Sequence, residues 1–375
     1  MHAADVLHGV YYLTSQPIPG FAQIPIDSTE SPLQKTSVGP LPQSYVRHIS
    51  VCDGSQYGIM GANFPALELL ALYTASAMHD YDHPGRTNAF LVSTFAAEAI
   101  LYNDRSVLEN HHAAAAWRLF LSKPEYNWLR CLDKAEFKRF RFLVIELILA
   151  TDLKRHFEIL AEFNAKMNDD EAPGIDWLSE TDRLLVIEMC IKFADINGPC
   201  KEHNIHIQWT HRIAEEFYEQ GDEEARLGLP ISPYMDRKNP QLAKLQESFI
   251  NHLVAPLCTS YGEAGLLPGV WEYQEVRCEE KEKREGIGFK ELRGSKGSKE
   301  KQAIRKIICL QTQHLQENYE YWVNLMKEEM KCENSPNTSS DDSSTPVFTP
   351  QLQGIAEAEE SQASIESNSG DSNHS

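Results

Sequence analysis

Two histidines and two aspartates stand where apolar helical stretches end. His79 and Asp80 close the stretch ALELLALYTASAM, and His83 follows shortly after. Asp195 closes LLVIEMCIKFAD. His2 and Asp5 sit in a third such stretch, at the start of the chain. An isolated carboxylate taken out of water is costly, so residues in these places need partners. Imidazole and carboxylate arriving from three separate helices can close around zinc or a harder divalent ion. For any one of them alone, a helix cap or a hydrogen-bonded role is the commoner explanation, and spacing by itself does not choose between the two.

The elements that must position these groups read as helices almost throughout. Residues 2–15 form the first. Residues 17–63 are rich in Pro, Gly, Ser and Gln and read as a long surface loop. From residue 64 the helical period dominates, with Leu67, Leu70, Ala71, Ala77 and Met78 expected on one face. Ser106-x-x-Glu109 and Asp133-x-x-Glu136 both have the form of capping boxes opening helices. Further helices are expected over 151–166, 180–194, 208–220, 240–260 and 303–330. No alternating strand pattern competes with them. The fold class is therefore all-α, a compact multi-helix domain over 1–330. Residues 272–301 read as a charged loop. Residues 331–375 read as an acidic, Ser-rich tail expected to be disordered.

Composition narrows the functional classes. The chain has 375 residues, 42% of them apolar, and a formal net charge of -20. Non-specific nucleic-acid binding needs clustered Lys and Arg, so an acidic body argues against it. A small phosphate-bearing substrate stays open if bound metal supplies the positive charge. The eight Cys form no CxxC pair, which reads as reduced intracellular thiols and no disulfide framework. No signal-peptide pattern is visible, and no apolar run approaches the ~18 residues of a membrane span. The expected location is cytoplasmic.

The motifs carry a more specific signal. His79-Asp80-Tyr81-Asp82-His83-Pro84-Gly85, Ala194-Asp195 and the fragment His2-Ala3-Ala4-Asp5 occur together with YNDRSVLENHHAAAAW, QPIPG, FRFLVIE, EFYEQGDEEA, LGLPISP and PQLAKLQESF. On these the chain resembles the metal-dependent, HD-type catalytic domain of the cyclic nucleotide phosphodiesterases. Within that family it is most similar to the cGMP-inhibited (type 3) members, which also carry an insertion where residues 17–63 lie. The resemblance covers roughly residues 2–330.

The resemblance implies a mechanism and roles. His2, His79, Asp80 and Asp195 would hold one metal ion, zinc. Asp80 and Asp195 would also face a second, magnesium or manganese. His83, Glu109 and Thr151 would orient the waters around these ions. Two adjacent ions can acidify a water for in-line attack on phosphorus. Gln246 would hydrogen-bond the purine, Phe249 and Ile213 would sandwich it, and His206 and Trp322 would line its pocket. The partners implied are cAMP and cGMP, with room for a homodimer.

The family's first motif also has a His upstream of His2, where this chain has only Met1. In the family that His protonates the leaving oxygen. The expectation is an N-terminally truncated chain. It would either be an impaired fragment that binds metal, nucleotide or a partner, or hydrolyse cAMP at least about 10²-fold more slowly than a version extended upstream.

Overall fold

The computed structural model describes residues 1–24, 57–169, 174–274 and 304–333. Twelve α-helices among these residues run in the order α1 (His2–Ser15), α2 (Ala66–Met78), α3 (Asn88–Ser93), α4 (Ala97–Tyr102), α5 (Val107–Ser122), α6 (Lys134–Leu149), α7 (His156–Met167), α8 (Glu180–Ile196), α9 (His203–Leu227), α10 (Leu242–Phe249), α11 (Ala255–Glu263) and α12 (Leu310–Glu333). The all-α expectation holds. Two short antiparallel pairs accompany the helices: β1 (Pro17–Pro19) with β2 (Tyr57–Ile59), and β3 (Val270–Gln274) with β4 (Ile304–Ile308).

The core is organised around α8. Every residue from Leu185 to Ala194 is buried. A helix apolar on all sides can be satisfied only inside other helices. α1 lays its stripe of Val6, Val10 and Leu13 against it. Gly9 makes that approach close: a Cβ there would sit 3.3 Å from the Cβ of Ala194 and 3.2 Å from Nδ2 of Asn197. α2 presents Glu68, Ala71, Leu72, Ala75 and Ser76 inward. The face expected from sequence was shifted by this packing, and Leu70 and Ala77 are exposed. The buried Glu68 carboxylate accepts from Nε and Nη2 of Arg183 on α8, at 2.8 and 2.9 Å. This bidentate pair satisfies both charges where water cannot.

Several boundaries differ from the sequence reading. The Asp133 capping box is present: Asp133 accepts from the amides of Ala135 and Glu136, and Glu136 accepts from the amide of Asp133. The Ser106 box is not. Ser106 has φ 42° in the left-handed region, and its hydroxyl donates to Asp152 Oδ2 at 2.7 Å instead. α7 starts at His156, after a 3-10 turn over Leu153–Arg155. The expected 240–260 helix is two, joined by a π-helical turn at Ile250–Val254. The expected 303–330 helix begins only at Leu310, because Ile304–Ile308 pairs with Val270–Gln274. That pairing also places 272–274 in a strand rather than in the charged loop. The remainder of that loop, the interior of the 17–63 segment and the 334–375 tail lie outside the described residues.

Among the ionisable groups buried in the core, Glu188 carries a cost that a pH series can read. Burial pushes the Glu188 carboxyl up to about 7, with Arg155 opposing and Glu146 and Glu162 adding to the rise. In the unfolded chain it titrates at about 4.3. Below that pH the group is protonated in both states and contributes nothing. Between about 4.3 and 7 the unfolded state ionises first, so stability falls as pH rises, by about 4 kcal/mol in all. Glu188→Gln should remove this slope. Its stability advantage over the parent, measured by urea unfolding, should be small at pH 4.5 and grow through pH 7.5; an advantage equal at both ends would place the charge in water.

Candidate active site

Three helix ends meet at the site. His2 opens α1, His79 and Asp80 follow the last residue of α2, and Asp195 lies in the final turn of α8. The Nε2 atoms of His2 and His79 are 3.3 Å apart. Asp195 Oδ1 lies 2.8 Å from His2 Nε2 and 3.2 Å from His79 Nε2. Asp80 Oδ2 lies 3.5 and 3.6 Å from the same two nitrogens. A tetrahedral ion with bonds of 2.0–2.2 Å has ligand–ligand edges of about 3.3–3.6 Å. Three of the five separations fall in that range, and the two to Asp195 Oδ1 are shorter, at 2.8 and 3.2 Å.

Hydrogen bonding sets the donor character. His79, fully buried, donates from Nδ1 to the Ser76 carbonyl at 2.9 Å. This fixes the tautomer and leaves the Nε2 lone pair aimed at the cluster. Two carboxylates then sit at the C-terminal ends of two helices, where the helix dipole disfavours negative charge. Burial would lower the two imidazoles, but Asp195 and Asp80 outweigh it, raising His2 and taking His79 to about 9. Burial would likewise raise the Asp195 carboxyl, yet His79 and His2 hold it well below the usual carboxylate range. The donor set therefore calls for positive charge, and a divalent ion fits it. His2 and Asp80 are each about one-third exposed and form the open side. Asp5 is not part of the cluster: it accepts from Lys201 Nζ at 3.0 Å and ties α1 to the turn after α8.

Around this cluster the structure places the remaining expected residues. His83 is exposed and stacks on His112 with ring centroids 5.4 Å apart. Glu109 accepts from Nδ2 of Asn88, at 3.2 Å for the nearer oxygen. Asn88 Oδ1 in turn accepts from the Leu108 amide at 2.8 Å, so Asn88 serves the α5 N-terminus that Ser106 leaves. The Thr151 hydroxyl donates to the Ile148 carbonyl at the end of α6. His112 was not singled out from the sequence, although the His111-His112 doublet marks it. Burial lowers it to about 4, it donates from Nδ1 to the Tyr81 carbonyl, and its Nε2 faces Asp80 Oδ1 at 3.8 Å. That acceptor beside an acceptor suits a bridging water.

The purine-site residues lie on three other helices. Gln246 on α10 is buried, and no hydrogen bond holds its amide among the described residues. Phe249 stands one turn further on and is partly buried against the core. Ile213 on α9 is 38% exposed. His206 and Trp322 are buried between α9 and α12, with Trp322 Nε1 donating to His206 Nε2 at 2.7 Å.

The model of the 3'5'-cyclic nucleotide phosphodiesterase family matches residues 41–268 of this chain. The chain belongs to that family. The human cGMP-inhibited 3',5'-cyclic phosphodiesterase 3A is 54% identical over 96% of the chain and 32% of its own length. The probable 3',5'-cyclic phosphodiesterase pde-3 of Caenorhabditis elegans is 54% identical over 72% of the chain and 36% of its own length. This phosphodiesterase chain thus spans about a third of the curated relatives it matches. Among solved structures, the phosphodiesterase domain of the RhoPDE fusion protein from the choanoflagellate Salpingoeca rosetta superposes with a TM-score of 0.61. It is 25% identical, covering 88% of this chain and 78% of that one. No helix among the described residues of the phosphodiesterase chain is long and apolar enough to cross a membrane.

His79→Ala and Asp195→Ala should each lower bound zinc at least about tenfold relative to the parent, while Asp5→Ala retains it. Elemental analysis after dialysis against buffered zinc reads the difference. Parental zinc content in both variants would remove these residues from the coordination set.

Proposed function

We propose that this chain hydrolyses the 3',5'-cyclic phosphodiester of cAMP and cGMP to the 5'-monophosphates at a centre of two divalent ions. The convergence of His2, His79 and Asp195 at one helix junction, with Asp80 Oδ2 3.5 and 3.6 Å from the two imidazoles, is the observation that carries this reading. These four residues would hold zinc, and the remaining carboxylate oxygens of Asp80 and Asp195 would face magnesium or manganese. When bound, such a pair supplies Lewis acidity and a nucleophile at neutral pH. The chain's own groups orient what approaches. Asn88 steadies Glu109, and His83 stacked on His112 forms the adjoining wall. Both can position water on the open side of Asp80.

At the other end, the amide of Gln246 can present either its oxygen or its nitrogens, which suits adenine and guanine alike. Phe249, one helical turn on, and Ile213 offer apolar faces for the ring. Burial lowers His206 to about 4, so its ring is neutral at pH 7 and the Trp322 bond to it persists through the neutral range. The alternative of a chain that only binds nucleotide or metal has no separate observation in its favour.

Gln246→Ala should weaken cAMP and cGMP together, by roughly 5- to 150-fold for two hydrogen bonds of about 0.5–1.5 kcal/mol each, with zinc content unchanged. Calorimetric titration checks the first part and metal analysis the second. Release of 5'-AMP by the zinc- and magnesium-loaded chain, lost in Asp195→Ala, tests hydrolysis directly. Product no greater than in that variant would leave binding without catalysis.

A further inference from the structure

The α5–α6 hairpin meets the metal cluster at one end only. Glu109 and His112 lie in the first half of α5, and Thr151 follows the end of α6. Both helices have 16 residues, so the turn joining them lies roughly 20 Å from Glu109 and Thr151 at 1.5 Å per residue. All eight residues from Leu121 to Trp128 are exposed, so this turn projects and lines no groove. Leu121 is 69% exposed, Trp128 47%, Leu119 45% and Phe142 44%. Single exposed apolar side chains are ordinary, but these stand among cations. Residues 118–141 hold seven Lys and Arg against three acids, a net charge of +4 in a chain of net -20. Arg118, Lys123, Arg130, Lys134, Lys138 and Arg141 are exposed, and the seventh cation, Arg139, pairs with Glu180. Lys134, Lys138 and Arg141 follow at intervals of four and three, which puts them on one face of α6 together with Phe142. Two of the three acids, Asp133 and Glu136, face backbone amides in the capping box.

We propose that this hairpin tip is a docking surface for an anionic lipid bilayer. Lys and Arg near such a bilayer are attracted to it, and the attraction falls off within a Debye length of about 8 Å at physiological ionic strength. Acids of the body beyond that distance weigh little, and the tip's own positive charge decides. The apolar side chains add the second part. Trp128 packs its ring against Phe120 and Phe140, at centroid distances of 6.4 and 5.9 Å, and leaves nearly half its surface outside. Tyr126 lies under Lys123 Nζ, 5.4 Å from the ring centroid, and is 41% exposed. Aromatic rings with one polar edge settle at the headgroup level. Because the tip projects, a flat bilayer reaches these side chains without reaching the acidic body. A nucleic acid long enough to cover the same cations would continue across that body, which disfavours it. Docking in this way leaves Asp80, which lies beside His112 in the first half of α5, clear of the bilayer.

The test mixes the full chain with phosphatidylcholine vesicles that either lack phosphatidylserine or contain about 30% of it, in about 0.1 M salt, and reads the bound fraction by flotation. The chain should partition at least about tenfold more strongly onto the phosphatidylserine vesicles. Raising salt to about 1 M, where the Debye length is about 3 Å, should remove that preference. Reversing three exposed cations together, Lys123→Glu, Lys134→Glu and Lys138→Glu, should weaken binding at least about tenfold. Leu121→Ala with Trp128→Ala should weaken it while keeping the salt dependence. Lys327→Glu, an exposed lysine on α12, should bind like the parent. Thermal unfolding followed by circular dichroism checks that each variant is folded. Equal binding to the two kinds of vesicle, binding to neither, or full binding by the folded triple variant would each overturn the assignment. Tip-dependent binding of polyglutamate without vesicle binding would give the surface to an acidic protein instead. A dimer that the triple variant dissociates, again without vesicle binding, would give it to a second copy of the chain. None of these readouts uses hydrolysis, so the outcome is independent of the proposed function.

Discussion

Two imidazole nitrogens and an Asp195 oxygen lie within 2.8–3.3 Å of one another at a junction of helix ends, with an Asp80 oxygen 3.5 and 3.6 Å from the imidazoles, and this set calls for positive charge among its members. Much of the architecture serves to hold that junction. α8 is a rod that can exist only when wrapped, and its last turn delivers Asp195. α1 reaches α8 across Gly9, which sets how closely His2 approaches. α2 ends where its buried stripe of Ala71, Ala75 and Ser76 runs into His79, so the same periodicity that packs the helix aims the ligand. The Ser76 carbonyl, left open by the helix end, takes the Nδ1 proton.

A wrapped central helix would be easiest to build from aliphatic residues alone, yet α8 buries Arg183, Glu188 and Lys192 in part or whole. Each has an identifiable resolution. Arg183 is clamped by Glu68 and also donates to the Trp177 carbonyl. Lys192 donates to the Ala150 carbonyl at the end of α6, and burial lowers it to about 8. Glu188 is relieved by taking up a proton near neutral pH. Such fixed polar contacts favour one packing arrangement over slipped alternatives, which matters where three helices must agree to within a few tenths of an ångström.

What could be read from the sequence divides along physical lines. The helices of the interior announce themselves by period, and the metal-site residues by standing at the ends of apolar runs. Their convergence depends on tertiary packing that period alone does not describe. The reading of Ser106 failed because Ser-x-x-Glu is a local signal, and Asn88 and Asp152, both remote in sequence, outcompete it for the same groups. β3 and β4 were hidden because their pairing spans a long charged segment and neither strand alternates cleanly. His112 is one of two adjacent histidines that only tertiary packing tells apart, and no local pattern ties Asn88 to the start of α5.

The π-helical turn at Ile250–Val254 sets the phase between α10 and α11. Such a turn amounts to one residue more than an α-helix would use, and each residue of an α-helix advances the azimuth by about 100°. Gln246 and Phe249 lie on one side of this wide turn, and Cys258 and Tyr261 on the other. Their relative headings are fixed by a residue count rather than by a contact. Were the same five residues to take α-helical geometry, with none removed, every downstream side chain would swing by about a quarter turn. Tyr261 would lose its stacking on Phe193, with centroids 5.6 Å apart, and polar faces would rotate toward the core. Keeping Tyr261 against Phe193 therefore requires this segment to stay wide.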